Sequence, residues 1–255
     1  MIAACNIESW IQNYDWLIEK QRKYFEPVTH KKELSFCALE VRNNDWTENK
    51  IQKYLQLLDH IFNYRWKECN YDLKTFAINT FVHDKDIREK YGFNAPISMD
   101  PILFYLIDFE GFLCEGVDNT CSLNKQLYIN CYNLSIIPCH RTAYPHFRGG
   151  YFEIQNNEIV DIKASDGVNG YFNIILKNPS MGLKCNYCPI KLFCLKQCLG
   201  ACYESNKDYN IPCETVCNLY KAKFLFLAKK YEEYNVFNYI LNSSENEIFI
   251  PYIKE

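Results

Sequence analysis

Apolar residues recur at helical spacing in two stretches near the N-terminus. In the first stretch they fall three and four positions apart, which predicts a helix over residues 7–25. The members of this stripe are Ile7, Trp10, Ile11, Tyr14, Leu17, Ile18 and Phe25. We expect Pro27 to end the helix, because proline has no backbone N–H for the helical ladder. Thr47 is a suitable N-cap for a second helix. The apolar positions of that helix are Ile51, Tyr54, Leu55, Leu58 and Phe62.

Two other segments are continuously apolar rather than periodic. The run from Leu34 to Val41 is short and flanked by charge, and a similar run extends from Thr75 to Val82. Both are typical of strands buried on two faces, as in a parallel sheet. Asn43-Asn44-Asp45 predicts a turn after the first run. The alternation of helix and strand indicates an α/β arrangement, although two or three repeats make only part of a barrel or open sheet.

The pattern changes near residue 105. Four short segments with apolar residues occur here in two pairs, each separated by a turn. They predict two β-hairpins with strands at 127–130, 135–137, 151–154 and 159–162. The predicted turns are Cys131 to Leu134 and Gln155 to Glu158. An amphipathic helix is predicted from Leu219 to Tyr234.

These elements divide the chain into three predicted parts. Residues 1–105 form the α/β segment, residues 106–235 form a small, loop-rich α+β domain, and residues 236–255 form a tail. With 48% hydrophobic residues, the chain can bury a substantial core.

Composition excludes two classes of partner and sets the expected compartment. The net charge is −3 and the pI about 6.0, which argues against the clustered basic face that nucleic-acid binding requires. No apolar run reaches the length of a membrane span. The first ten residues have neither a basic region nor an apolar signal core, so we expect a cytoplasmic protein. In a reducing compartment, the 14 cysteines favour metal binding over disulfides.

The cysteines are concentrated in one pattern, Cys185-x2-Cys188-x5-Cys194-x3-Cys198. Four further cysteines complete the candidate ligand set: Cys114, Cys121 and Cys139 upstream of this block, and Cys217 downstream of it. A cubane iron–sulfur cluster needs four converging thiolates, so these eight residues suffice for two clusters. Tetrahedral zinc also binds Cys-x2-Cys pairs, and eight thiolates are equally enough for two structural zinc sites.

This pattern resembles the SPASM domain of radical SAM enzymes, a family that modifies peptides and proteins with the help of auxiliary clusters. Cys121, the hairpin leading into Cys139, the 185–198 block and Cys217 carry the resemblance, which covers roughly residues 110–220. The family usually has glycine five residues before the second cysteine of the hairpin. Here that position is Leu134, next to Asn133, a residue type that tolerates the left-handed conformation.

The resemblance implies which cysteines bind each [4Fe–4S] cluster. The first cluster would be held by Cys114, Cys121, Cys139 and Cys198. The second would be held by Cys185, Cys188, Cys194 and Cys217. Some members of the family leave the corner corresponding to Cys114 open for substrate. His140 stands where some members place the proton-accepting group; the alternative is that it hydrogen-bonds a cluster sulfur or a backbone group.

Residues 34–62 also resemble the late strands and helices of a radical SAM barrel. The Cys-x3-Cys-x2-Cys motif that binds the catalytic cluster of that family is missing, because the first 110 residues contain only Cys5, Cys37 and Cys69. The resemblance therefore implies either the C-terminal portion of a longer or split enzyme or a degenerate relative. S-adenosylmethionine and a third [4Fe–4S] cluster are expected only if a missing N-terminal half is present.

Three functional hypotheses follow. The first is the C-terminal portion of a peptide- or protein-modifying radical SAM enzyme, partnered by its substrate and by a separate or upstream radical SAM segment. In this hypothesis the isolated chain does not cleave S-adenosylmethionine. The second is a non-catalytic iron–sulfur module for electron transfer or substrate binding, and the third is a zinc-stabilised interaction domain.

Of the remaining cysteines, Cys202 and Cys213 flank the block and are alternative ligands, while the others suit the role of small buried hydrophobes.

Overall fold

The computed structural model describes residues 3–29, 44–82, 86, 90, 128–176, 185, 187–190, 199–244 and 248. The chain divides into two units. The first unit contains residues 1–114 and 215–255, and the second contains residues 115–214.

The described residues form seven α-helices and four strands. The helices are α1 (Ile7–Thr29), α2 (Glu48–Glu68), α3 (Leu73–Phe81), α4 (Val168–Leu176), α5 (Leu199–Asn206), α6 (Glu214–Glu233) and α7 (Val236–Asn242). The strands are β1 (Tyr128–Asn130), β2 (Ser135–Ile137), β3 (Gly150–Gln155) and β4 (Glu158–Ala164). Among the described residues, no helix has the length and apolar character needed to cross a membrane.

The two predicted N-terminal helices are confirmed as α1 and α2. Helix α1 continues to Thr29, so the prediction that Pro27 ends it is wrong by two residues. A proline so close to a helix end removes only one late ladder bond, which the last turn tolerates. Thr47 caps α2 as predicted, and its hydroxyl accepts the Lys50 N–H at 3.4 Å.

The predicted strand from Thr75 to Val82 is wrong, because this segment is helix α3. Asp72 caps the helix, and its carboxylate accepts the Thr75 N–H at 2.7 Å. A short apolar run has the same sequence signature in a buried strand and in a buried helix. Here the N-cap, Asp72, favours the helix. The other predicted strand of this region, 34–41, lies outside the described residues, so the partial barrel stays a prediction.

The core of the first unit is an aromatic cluster that joins three helices. Phe62 of α2 is fully buried, and its ring centroid lies 5.1 Å from that of Phe76 in α3. On α6, Tyr231 lies 6.2 Å from Phe62 and 5.3 Å from Phe81. Tyr234, just after α6, lies 4.9 Å from Phe62. Burial of these rings stabilises the unit, because each aromatic side chain removes a large apolar area from water.

Ion pairs and ring contacts connect α1 to α2. The Glu8 carboxylate accepts hydrogen bonds from Lys53 at 2.6 Å and Lys50 at 2.9 Å. These two bonds, the one from Lys53 first, lower the pKa of Glu8 to about 2. Tyr14 packs edge-on against His60, which itself contacts Asp15 at 2.6 Å. The N-terminal half of α1 is thus held against α2 by polar contacts at the surface and by a buried tyrosine.

The second unit contains an antiparallel sheet in the order β1-β2-β3-β4, so both predicted hairpins are confirmed. In the first hairpin Asn130 pairs with Ser135 across the turn at 131–134. In the second, Gln155 pairs with Glu158, which shortens the predicted four-residue turn to two residues. Those two residues, Asn156 and Asn157, have φ values of 51° and 66°, as a type I′ turn requires.

Two helices of the second unit cross the segment that follows β2, and each crosses at a glycine. A Cβ added to Gly170 in α4 would lie 2.0 Å from the carbonyl oxygen of His146. A Cβ added to Gly200 in α5 would lie 2.5 Å from the Cβ of Arg141. Glycine is therefore required at both crossings, because any side chain would push the helix off the segment.

Candidate metal centre

The first hairpin delivers Cys139 to a buried position. Strand β2 ends at Ile137, Pro138 follows, and Cys139 is 6% exposed. It precedes a 3₁₀ turn of residues His140–Thr142, whose closing bond runs from the Thr142 N–H to the Cys139 carbonyl at 3.0 Å. The Cys139 N–H in turn donates to the Thr142 hydroxyl oxygen at 3.0 Å. Both backbone groups of Cys139 are thus hydrogen-bonded, which fixes the position from which its side chain projects.

The same threonine contacts the sulfur. Thr142 Oγ1 lies 3.3 Å from Cys139 Sγ, and Thr142 is fully buried. Nothing in the cysteine spacing points to Thr142. The only signal is a threonine three positions after a cysteine, and that spacing brings two side chains together only when the segment forms a tight turn.

An apolar cluster surrounds Cys139. Phe147, Ile174 and Leu199 are buried with it, and four partly buried tyrosines pack against the group, namely Tyr128, Tyr144, Tyr203 and Tyr209. Leu199 begins α5 and immediately follows Cys198 in the sequence. A protein environment of this kind limits water access to a metal centre, which is one determinant of its potential.

The two residues after Cys139 differ in their surroundings. His140 is exposed, and its assignment as a catalytic base stays a prediction. The Arg141 guanidinium forms an ion pair with Glu204 of α5, so a carboxylate already compensates its charge. Burial, and then the Glu204 carboxylate, raise the pKa of nearby Tyr144. Arg141 and Glu204 therefore fix α5 against the Cys139 turn.

The Cys-x2-Cys pair of the 185–198 block forms a turn, as its spacing predicts. The Cys188 N–H donates to the Cys185 carbonyl at 3.2 Å, and both cysteines are half-buried. Pro189 and buried Ile190 follow. Two thiols from one turn can occupy two corners of the same metal centre, whether cubane or zinc.

Cys217 belongs to the first unit, where it lies in the first turn of α6 and is half-buried. Four of the eight predicted ligands, Cys114, Cys121, Cys194 and Cys198, lie outside the described residues. Within the described part of the chain, no three histidine, cysteine, aspartate or glutamate side chains converge as a metal site.

All nine cysteines in the described ranges are thiols rather than disulfides. Of those not predicted as ligands, Cys202 and Cys213 are buried at 3% and 0% exposure. Cys69 is also buried, and it accepts a hydrogen bond from the Asn79 side chain at 3.7 Å. Cys5 and Cys131 are exposed, and Cys37 lies outside the described residues. Cys69 thus behaves as the small buried hydrophobe expected of a non-ligand cysteine.

No protein-family model, curated protein or solved structure matches this chain. The described cysteines fit a thiolate-bound group in three respects: Cys185 and Cys188 share one turn, Cys139 is buried with a hydrogen-bond donor at its sulfur, and none of the described cysteines forms a disulfide.

Proposed function

We propose that this chain binds two [4Fe–4S] clusters and acts as the cluster-carrying C-terminal portion of a radical SAM/SPASM enzyme that modifies a peptide or protein. Cys114, Cys121, Cys139 and Cys198 would hold the first cluster. Cys185, Cys188, Cys194 and Cys217 would hold the second. The clusters would transfer electrons or position the substrate, and the N-terminal segment would complete a barrel with a separate or upstream radical SAM segment.

The observation that carries the proposal is the hairpin that leads into Cys139. Its strands pair in the predicted register, with Tyr128 opposite Ile137. Leu134, at the position where the family has glycine, has a φ of 55°. A leucine rarely adopts this left-handed conformation, which costs roughly 1–2 kcal/mol in an L-residue other than glycine. Glycine, the family's usual residue at this position, adopts the left-handed conformation without strain, and this agreement supports the proposal beyond the cysteine spacing.

The chemistry requires a compartment that keeps thiolates reduced. Cluster ligands must be deprotonated cysteines, and disulfide formation in an oxidising compartment would compete for them. We therefore expect the protein to act in the cytoplasm. The S-adenosylmethionine site and its catalytic cluster would reside on the partner segment, because the Cys-x3-Cys-x2-Cys motif is absent from this sequence.

The test is the iron, sulfide and zinc content of protein purified without oxygen, together with its visible spectrum. Two four-iron cubanes predict about eight irons and eight sulfides per chain. Replacing Cys139 with alanine should remove about half of both. Cys131 provides the matched control, because it is an exposed thiol in the turn of the same hairpin and is not a predicted ligand. The Cys131→Ala variant should keep the full content.

Two results would contradict the proposal. A colourless protein with two zinc ions per chain would establish a zinc-stabilised domain, the other outcome that eight thiolates allow. Production of deoxyadenosine from S-adenosylmethionine by the isolated, iron-loaded chain would also contradict it, because that reaction needs the catalytic cluster assigned to the partner segment.

A further inference from the structure

We infer that Thr142 is a positioning residue for the first cluster, and that its hydroxyl donates a hydrogen bond to the Cys139 sulfur and raises the cluster's reduction potential. The inference rests on the proposed function, since it concerns a ligand of the proposed cluster. Its evidence is separate from the cysteine spacing, because it comes from the contacts of a residue that the spacing does not include.

The direction of the hydroxyl proton follows from the bonds around it. Thr142 Oγ1 already accepts the Cys139 N–H at 3.0 Å, so its single proton must point elsewhere. Two acceptors are within reach, the Cys139 carbonyl at 3.2 Å and Cys139 Sγ at 3.3 Å. The carbonyl oxygen already accepts the Thr142 N–H at 3.0 Å, which leaves it one lone pair, whereas the sulfur accepts no other hydrogen bond from the described residues and is the less occupied acceptor.

Metal ligation strengthens the preference for sulfur. A cluster ligand is a thiolate, and hydrogen bonds to ionised acceptors are roughly twice as strong as bonds between neutral groups. Burial removes the competing donor, water, because Thr142 is 0% exposed and Cys139 is 6% exposed. A hydroxyl held in this geometry and shielded from solvent therefore has one strong acceptor.

The effect on the cluster has a definite sign. Reduction adds an electron to a cluster whose ligands already carry negative charge, and some of the added density lies on the sulfurs. A hydrogen bond to a ligand sulfur stabilises the reduced state more than the oxidised state, which raises the reduction potential. Removing the hydroxyl should therefore make this cluster harder to reduce without changing the number of irons bound.

The test compares three threonine variants by anaerobic redox titration followed by electron paramagnetic resonance. In Thr142→Val, the reduced-to-oxidised ratio at the wild-type midpoint should fall about threefold to tenfold, a shift of up to about 59 mV for a one-electron couple. Thr142→Ser keeps the hydroxyl and should restore the wild-type value. Thr47→Val is the matched control, because it removes an N-capping hydroxyl on α2 in the other unit.

Each outcome is decisive. Of the two titration waves, the one that shifts should be the one that Cys139→Ala abolishes. An unchanged potential in the valine variant overturns the inference, as does a serine variant that behaves like valine or an equal shift in Thr47→Val. Absence of iron from the wild-type chain is a failure of the proposed function, and the metal analysis detects it before any titration.

Discussion

The glycine crossing at α4 gives a sharp test of how the Cys139 region is packed. Replacing Gly170 with alanine would place a Cβ 2.0 Å from the His146 carbonyl oxygen and 3.2 Å from Phe147 Cδ1. Real Cβ atoms essentially never approach closer than 3.0 Å, so the helix or the turn must move by about 1 Å. The nearest obstacle is backbone, which cannot rotate away as the end of a side chain can.

Two opposing terms set the magnitude. Alanine in place of glycine favours a helix by roughly 1 kcal/mol. Overpacking a tight contact typically costs about 1–3 kcal/mol, and a backbone obstacle places this site at the upper end. We therefore expect Gly170→Ala to destabilise the second unit by about 1–2 kcal/mol, equivalent to a factor of about 5–30 in an opening equilibrium.

Hydrogen exchange followed by mass spectrometry measures this opening locally. Peptides covering α4 and the 145–147 turn should exchange about 5–30 times faster, while peptides from α2 should be unaffected. Asn169→Ala is the matched control, since Asn169 is exposed in the same helix and the change also favours helix. If Gly170→Ala protected α4 as well as Asn169→Ala does, the close approach and the reasoning built on it would be refuted.

Three further predictions concern the first unit. Phe62→Ala should lower the free energy of unfolding measured by urea denaturation by about 3–5 kcal/mol, because the ring is fully buried among aromatic neighbours. The control is Tyr132→Ala, at a 96% exposed site of the other unit, which should change this free energy by less than about 0.5 kcal/mol. Asp72→Ala should lower the free energy of unfolding by about 1 kcal/mol at pH 7. Hydrogen bonds from Thr75 lower the pKa of Asp72, so the stability that this carboxylate contributes is lost as the pH falls through the lowered pKa. The difference in stability between Asp72→Ala and the wild type should therefore shrink in acid. Burial lowers the pKa of Lys223 well below its ordinary value, so the unfolded chain binds a proton that the folded chain lacks, and the free energy of unfolding should rise with pH up to the ordinary lysine pKa. Lys223→Met should flatten that slope in urea titrations across the alkaline range.

Local chemistry explains which parts of the fold the sequence predicts. Both hairpins follow from residues close together in the chain, because strand alternation and the Asn156-Asn157 pair encode turn and register at once. Thr47 likewise marks the start of α2 through a bond to its own first turn. Helix α3 was missed because its apolar run is too short to show a period, and the decisive residue, Asp72, lies just outside that run.

Long-range packing explains the rest. Lysine on a predicted amphipathic helix is expected on the solvent side, yet Lys223 is 1% exposed and lies over the rings of Tyr54 and Tyr220. Tyr54 belongs to α2, so the burial of this lysine depends on packing between helices far apart in the sequence. The candidate site likewise combines local features that the sequence predicts with long-range packing that it does not. The spacing of Cys185 and Cys188 predicts their shared turn, whereas Gly200 is needed because its own helix, α5, packs against Arg141, more than fifty residues earlier in the sequence.

The order of the two units along the chain has a consequence for synthesis. The first unit begins before the second and closes only after it, and the Phe62 and Tyr231 rings that share its core are 169 residues apart. At about 5–20 residues per second, a ribosome would need roughly 10–30 s to pass from α3 to the end of α6. During that interval α6 has not yet been synthesised, so the apolar faces of α2 and α3 cannot pack against it. The strands of the second unit are neighbours in sequence and can already pair. We therefore expect the nascent first unit to expose apolar surface longer than the second unit does during synthesis.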